Sequence, residues 1–270
     1  MMAASEYLRL RQVCLVAHQL DPVVDDLCTI FDAAVCYRDP VVTQFGLQNA
    51  LIPIGTSFIE VVAPITENTA AARYLERRAG DGGYMTIFDS DALPKWRRHL
   101  AEIGVRIAMP LVVGDYEGIQ LHPRDTGGTM LEISHTLGGE ALEGPYGPAG
   151  PKWRGADQLR PEQGILGAAI QSQDPQSLAS RWARILRRSS TLMGGEFYVH
   201  VDNATLRFVA RHGWAWRRAG GSGATSLRLR RDPSACGGKR PCDRGQHPSG
   251  RGGTLHADGM SQSTAERDRR

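Results

Sequence analysis

Hydrophobic and polar positions alternate along the first half of the chain in an order that occurs twice. An apolar run, Val13 to Ala17, has the composition of a buried strand; Asp21-Pro22 then opens a stretch in which Val23, Val24, Leu27, Ile30 and Phe31 recur at helical spacing. Three short β-rich runs follow, Ala34 to Tyr37, Leu47 to Ile54 and Ser57 to Val62, broken by Asp39-Pro40 and Gly55-Thr56. The order is βαβββ. It returns as strand Tyr84 to Phe88, helix Leu93 to Ile103, and strands Val105 to Ala108, Gly118 to His122 and Thr129 to Ser134.

The two segments superimpose at an offset of 72 residues, which sets Pro22 on Pro94, Gly55 on Gly127 and Glu60 on Glu132. One such unit has a curved sheet with a bare edge, and a pair buries those edges and encloses a cup. The fold class expected is therefore α+β, with paired βαβββ modules at 10–64 and 82–137 forming a cup-shaped mixed sheet. Residues 138–163, rich in Gly and Pro, are expected to be a linker or a loop laid over this domain. A third, shortened unit follows over 164–210, with a strand at Ile165 to Ile170, a helix after Asp174-Pro175, and strands at Phe197 to Val201 and Thr205 to Val209. It would form a partial second domain of the same kind.

From about His212 the periodic pattern dissolves into Arg-, Gly- and Ser-rich sequence that cannot bury enough surface to offset ordering entropy. Residues 211–270 therefore read as a disordered basic tail, or as sequence shifted out of its natural frame with the fourth unit lost. Charge is divided the same way: the tail holds 13 Lys and Arg against 5 Asp and Glu, leaving 19 against 24 in residues 1–210 of a chain whose net charge is +3. Basic residues scattered through the tail, with only Trp214 and Trp216 as aromatics, argue against a nucleic-acid partner. No apolar run approaches the length of a membrane span, and the five cysteines form no zinc or disulfide pattern, so a cytoplasmic protein is expected.

Candidate chemistry centres on Glu60 and Glu132. Each stands inside an apolar strand, where a carboxylate must face solvent, pair with a cation or bind a metal. Their coincidence in the repeat favours a functional role over a solvated face. His122 before Pro123 suits a turn, and His18 and His135 at strand ends suit solvated imidazoles. Tyr84 reads equally well as a core aromatic. The pairs Gly82-Gly83, Gly127-Gly128 and Gly138-Gly139 lack the context of a phosphate-binding loop and read as turns.

The segment Phe58 to Pro64 and, above all, Leu121-His122-Pro123-Arg124-Asp125-Thr126-Gly127-Gly128-Thr129-Met130-Leu131-Glu132-Ile133 resemble the vicinal oxygen chelate (glyoxalase-like) superfamily. The second motif, and Ala70 to Arg78 before it, resemble methylmalonyl-CoA epimerases within it. The resemblance covers residues 10–137. It implies a metal held by Gln12, Glu60, Tyr84 and Glu132, although the family usually has His where Gln12 and Tyr84 stand. An oxygen-rich set suits Mg²⁺ or Mn²⁺, with Co, Zn or Fe as other family metals. The function implied is an isomerase, epimerase or lyase that stabilises the enolate of a carbonyl or acyl-CoA substrate, with Glu60 and Glu132 as ligands or proton-transfer bases. The alternative is a metal-free protein of the same fold that binds or sequesters a small molecule. In the third unit the matching positions are Gly167 and Arg207, so no metal is expected there. An unpaired third unit could also join two chains as a homodimer.

Overall fold

The computed structural model describes residues 6–91, 93–155 and 163–210, together with the backbone of two further strands at 224–231 and 254–255. In chain order the first unit comprises β1 (Arg9–Val16), α1 (Leu20–Phe31), β2 (Leu47–Ile54) and β3 (Ser57–Pro64). Helix α2 (Ala70–Arg78) connects it to β4 (Gly82–Asp89), α3 (Leu93–Glu102), β5 (Ile107–Val113), β6 (Tyr116–Leu121) and β7 (Met130–Thr136).

These seven strands make one sheet in the order β2-β3-β1-β4-β7-β6-β5. Within each unit the first strand lies parallel to the last, β1 to β3 and β4 to β7, and β1 and β4 meet antiparallel at the centre. The expected paired cup is thus the architecture of the first half. One expected strand is missing. Ala34 to Tyr37 contributes only an isolated bridge from Tyr37 to Leu51, because Pro40 and the 3-10 turn Pro40–Phe45 take the chain away from the sheet edge.

The third unit follows the same rule with β8 (Gln163–Ser172), α4 (Pro175–Ile185), β9 (Ser190–Met193), β10 (Glu196–His200) and β11 (Thr205–Ala210). Strand β9 is four residues long and exposed, and its two apolar residues, Leu192 and Met193, are too few to mark a strand in the sequence. Helix α4 starts where Asp174 accepts a hydrogen bond from the Ser177 N–H (2.9 Å), with Pro175 in the first turn. Strand β12 (Ala224–Arg231) pairs antiparallel with β8, the relation β4 has to β1, and β13 (Thr254–Leu255) pairs with β12. Apart from these two strands, the expectation of a disordered or frame-shifted tail lies outside the described residues.

A single apolar core joins the helix-covered face of the cup to the third unit, with Leu10, Phe88 and Ile133 in the same cluster as Ile170, Trp182 and Phe208. The seam is also hydrogen-bonded. Trp182 Nε1 donates to the Thr126 carbonyl (2.9 Å), and the start of β1, which runs past β3, is capped by Asp202 and Asn203 of the β10–β11 turn. This packing leaves the opposite face of the cup sheet for the site.

Candidate functional site

Strand alternation places Phe58, Glu60 and Val62 on that opposite face. Val62 lies in a cluster with Cys14, Val16, Met85 and Ile87 beneath Ala71 and Leu75 of α2. Phe58 lies in a second cluster with Leu51, Tyr116, Tyr146, Ala149 and Trp153, the last three from the segment after β7. Glu60 therefore sits between a helix at one end and an aromatic strap at the other. The Gly/Pro-rich stretch expected to lie over the first domain does so: Tyr146 stacks on Phe58 (ring centroids 4.9 Å) and Trp153 meets the same ring edge-on at 5.2 Å.

Both glutamates are buried, at 8% and 2% exposure. Glu60 accepts from Gln12 Nε2 (2.7 Å) and Asn49 Nδ2 (2.6 Å). Gln12 Oε1 in turn accepts from the Tyr146 hydroxyl (2.9 Å), so strap, β1, β3 and β2 form one chain of bonds. Glu132 accepts from the Tyr116 hydroxyl and from Gln120 Nε2 (2.8 Å). A Cβ on Gly118 would come within 2.8 Å of Glu132 Oε1, so any larger residue there would force this carboxylate to shift.

Burial raises both carboxyls above the ordinary range. Glu132 is pushed up to about 7, with the Tyr116 and Gln120 bonds acting against the shift. Glu60 is raised by the same cause, opposed by its bonds to Asn49, Cys14 and Gln12. A proton on Glu132 has a natural partner, since the Tyr116 hydroxyl can accept as well as donate. Glu60 faces two amide NH₂ groups, which only donate.

The structure brings Gln12 to Glu60 but does not place Tyr84 opposite Gln12. Cys14 pairs with Met85 and Leu15 with Gly83, so Tyr84 is the extra residue of a β-bulge. Gln12 stands beside Phe58, and the strand position beside Met130, the repeat counterpart of Phe58, is Met85. The constant offset fails by one residue at the ligand position. Tyr84 instead packs its ring against Tyr74 under α2 (5.1 Å).

These residues do not fit a resident divalent metal. Each carboxylate oxygen already accepts from a protein donor, Gln12 turns its nitrogen rather than its oxygen to Glu60, and the fourth position carries a thioether, a poor match for a hard cation. Among the described residues no three His, Cys, Asp or Glu side chains converge on a point. Gly167 and Arg207 of the third unit stand in the register of Gln12 and Glu60, and Arg207 is paired with Glu196.

Asn49, Tyr116, Gln120 and Tyr146 were not among the candidates from sequence. A signal existed for two of them: each glutamate strand follows an apolar run that carries one or more amides, Gln48-Asn49 in the first unit and Gln120 in the second. Of the histidines, His122 takes its turn role, accepting from the Arg124 N–H at 3.2 Å, and His18 bonds to Asp81 at 2.7 Å.

Strand order and paired modules are those of the vicinal oxygen chelate fold. No family profile matches the chain, and no curated protein matches it. Among solved structures, methylmalonyl-CoA epimerase of Streptomyces coelicolor, in complex with 2-nitronate-propionyl-CoA, is 21% identical over 51% of this chain and 98% of its own, with a TM-score of 0.45. The epimerase of Mycobacterium tuberculosis is 21% identical over 57% of this chain and 97% of its own, also at 0.45. A hypothetical protein of Bacillus halodurans C-125 is 19% identical over 49% and 96%, at 0.44. These likenesses span about half of the chain. Among the described residues no helix is long and apolar enough to cross a membrane.

Proposed function

We propose that the protein is a metal-independent small-molecule-binding protein whose ligand occupies the cup between the two glutamates and the aromatic strap. The observation that carries this reading is that all four carboxylate oxygens are already satisfied by Gln12, Asn49, Tyr116 and Gln120, and that Tyr116 and Tyr146 of this network belong to the aromatic cluster of the strap. Ligand sites of this kind are mostly apolar with a few fixed polar groups. Chelator-treated full chain, titrated with Mn²⁺, Co²⁺ and Mg²⁺, is expected to bind none above background. Titrated with acyl-CoA thioesters and small carbonyl compounds, it is expected to change its fluorescence through Trp153, and Trp153→Phe should remove that signal. Stoichiometric metal binding that disappears in Glu132→Ala overturns the reading.

A second reading, proton transfer on a carbonyl compound, is favoured by one feature: Glu132 is pushed up to about 7 and shares its oxygen with the Tyr116 hydroxyl. A carboxyl titrating near neutrality can take a proton α to a carbonyl and return it. An acyl-CoA thioester is the substrate class that the resemblance of the second motif implies. In this case solvent deuterium should enter the α-carbon of such a thioester, and Glu132→Gln should abolish the exchange.

A further inference from the structure

The cup holds one cation that the network around the glutamates does not use. In β1, Leu10 pairs with Phe88 and Gln12 with Ile87, so Arg11 is the extra residue of a bulge, and such a residue is re-aimed relative to the strand. Arg11 is 1% exposed. Its guanidinium carbon lies 5.1 Å from the centre of the Tyr146 ring, 5.6 Å from Phe58 and 5.7 Å from Trp153. Nη2 donates to the Leu142 carbonyl (2.6 Å), whereas Nε and Nη1 are buried without an acceptor.

Asp89 and Glu143 attract Arg11 only from beyond ion-pair distance. Asp89, on the neighbouring β4, is taken by Arg9 at 2.6 Å, and Glu143 on the strap is exposed. Among the described residues no carboxylate pairs with Arg11. An arginine does not shed its proton to escape such a place, so a buried guanidinium with unmatched N–H groups is suited to receive an anion. A second donor in the same aromatic cluster, the Trp153 indole N–H, is also buried with no acceptor. Cation–π contact with three rings accounts for part of the stabilisation but satisfies no N–H.

We infer that Arg11 is the anion-recognising group of the cup and that the ligand carries a carboxylate, received by Arg11 Nε and Nη1 beneath the strap. The inference rests on the binding reading above and narrows its ligand class. One unmatched positive charge favours a monoanion over a phosphate dianion. Entry requires the strap to part from β1 and β7, where it is held by Tyr146 on Gln12 and by the Gly147 N–H on Thr136 Oγ1 (3.1 Å).

The test is thermal unfolding of the full chain in monocarboxylates from acetate through benzoate to indole-3-acetate, against benzamide and inorganic phosphate, with ionic strength matched by NaCl. At about ten times the dissociation constant the best carboxylate should raise the midpoint by about 3–5 °C, and benzamide and phosphate should not. Arg11→Met should abolish the shift. Arg11→Lys, which keeps the charge but not the planar fork, should reduce it, and serves alone if Arg11→Met does not fold. The inference is overturned if no carboxylate stabilises the protein, if phosphate does so equally, or if the shift survives both substitutions. Uncharged carbonyl compounds that bind while carboxylates do not would sink this inference and leave the binding reading standing.

Discussion

The two halves of the cup share a backbone plan and differ in what surrounds the same glutamate. Glu60 lies between two amide NH₂ groups, one of them tied through Gln12 to the strap; Glu132 lies between an amide and a phenol, over a glycine. The preceding first strands diverge too, with Gln12 on one side and Met85 on the other. The repeat keeps the placement of a buried carboxylate, while its neighbours suit one to accept and the other to hold a proton. In a site of this shape the surrounding donors, not the carboxylate, set the chemistry.

Phe58 and Met130 occupy matching places beside Gln12 and Met85, yet only Phe58 is fully buried, under Tyr146 and Trp153. Phe58→Ala should cost about 3–5 kcal/mol by loss of burial and creation of a cavity. Met130→Ala, at a half-buried position, should cost less than half as much. Urea unfolding of both variants measures the difference, and equal costs would mean that the strap does not distinguish the two halves.

How far the sequence carries follows from the same positions. The paired cup was legible because apolar periodicity and the coincidence of Glu60 with Glu132 survive in the chain as spacing. Tyr84 was misplaced because a β-bulge inserts one residue without altering composition, so a constant offset passes over it. The missing strand at Ala34 to Tyr37 was a matter of Pro40 overriding β propensity. Tyr116 and Tyr146 were illegible as site residues because the contacts that matter cross between strands, or join strand to strap, at separations local pattern does not encode. Arg11 was hidden because it precedes the apolar run Val13 to Ala17 that marks the strand, and the bulge that re-aims it leaves no trace in composition.

Substituting amides for the two glutamates sharpens the comparison. At position 132 a glutamine can accept from the Tyr116 hydroxyl and donate to the oxygen of a flipped Gln120, a flip that sacrifices no other bond among the described residues. At position 60 its NH₂ must face another NH₂, from Asn49 or Gln12, and flipping either amide sacrifices a bond to the Asp39 N–H or to Tyr146. Glu60→Gln should therefore destabilise by about 1–3 kcal/mol. Glu132→Gln should be neutral near pH 4 and stabilising above pH 7. The sign follows from protons bound: with the native Glu132 at about 7 and an ordinary value of 4.5 when unfolded, the native state holds the extra proton between them. That contribution is full below 4.5 and is lost as pH rises through 7, by up to about 3 kcal/mol. Denaturant titrations of Glu132→Gln and the parent at pH 4 and pH 8 measure it, and an advantage that does not grow with pH would place the proton elsewhere.

The smallest effect probes the link between the first half and the strap. Tyr146→Phe keeps the ring stacked on Phe58 and removes only the hydroxyl that donates to Gln12 Oε1. A neutral hydrogen bond of this kind contributes about 1 kcal/mol, and Gln12 Oε1 is left without its donor. The global midpoint should fall slightly. Amide exchange should quicken at Gly147, Ala149 and Gly150, whose N–H groups are bonded at the strap, but not at β6 or β7 around Glu132, which the strap hydroxyl does not touch. Faster exchange in both places would mean that the two glutamate networks open together, and the contrast between the halves would then be one of side chains alone.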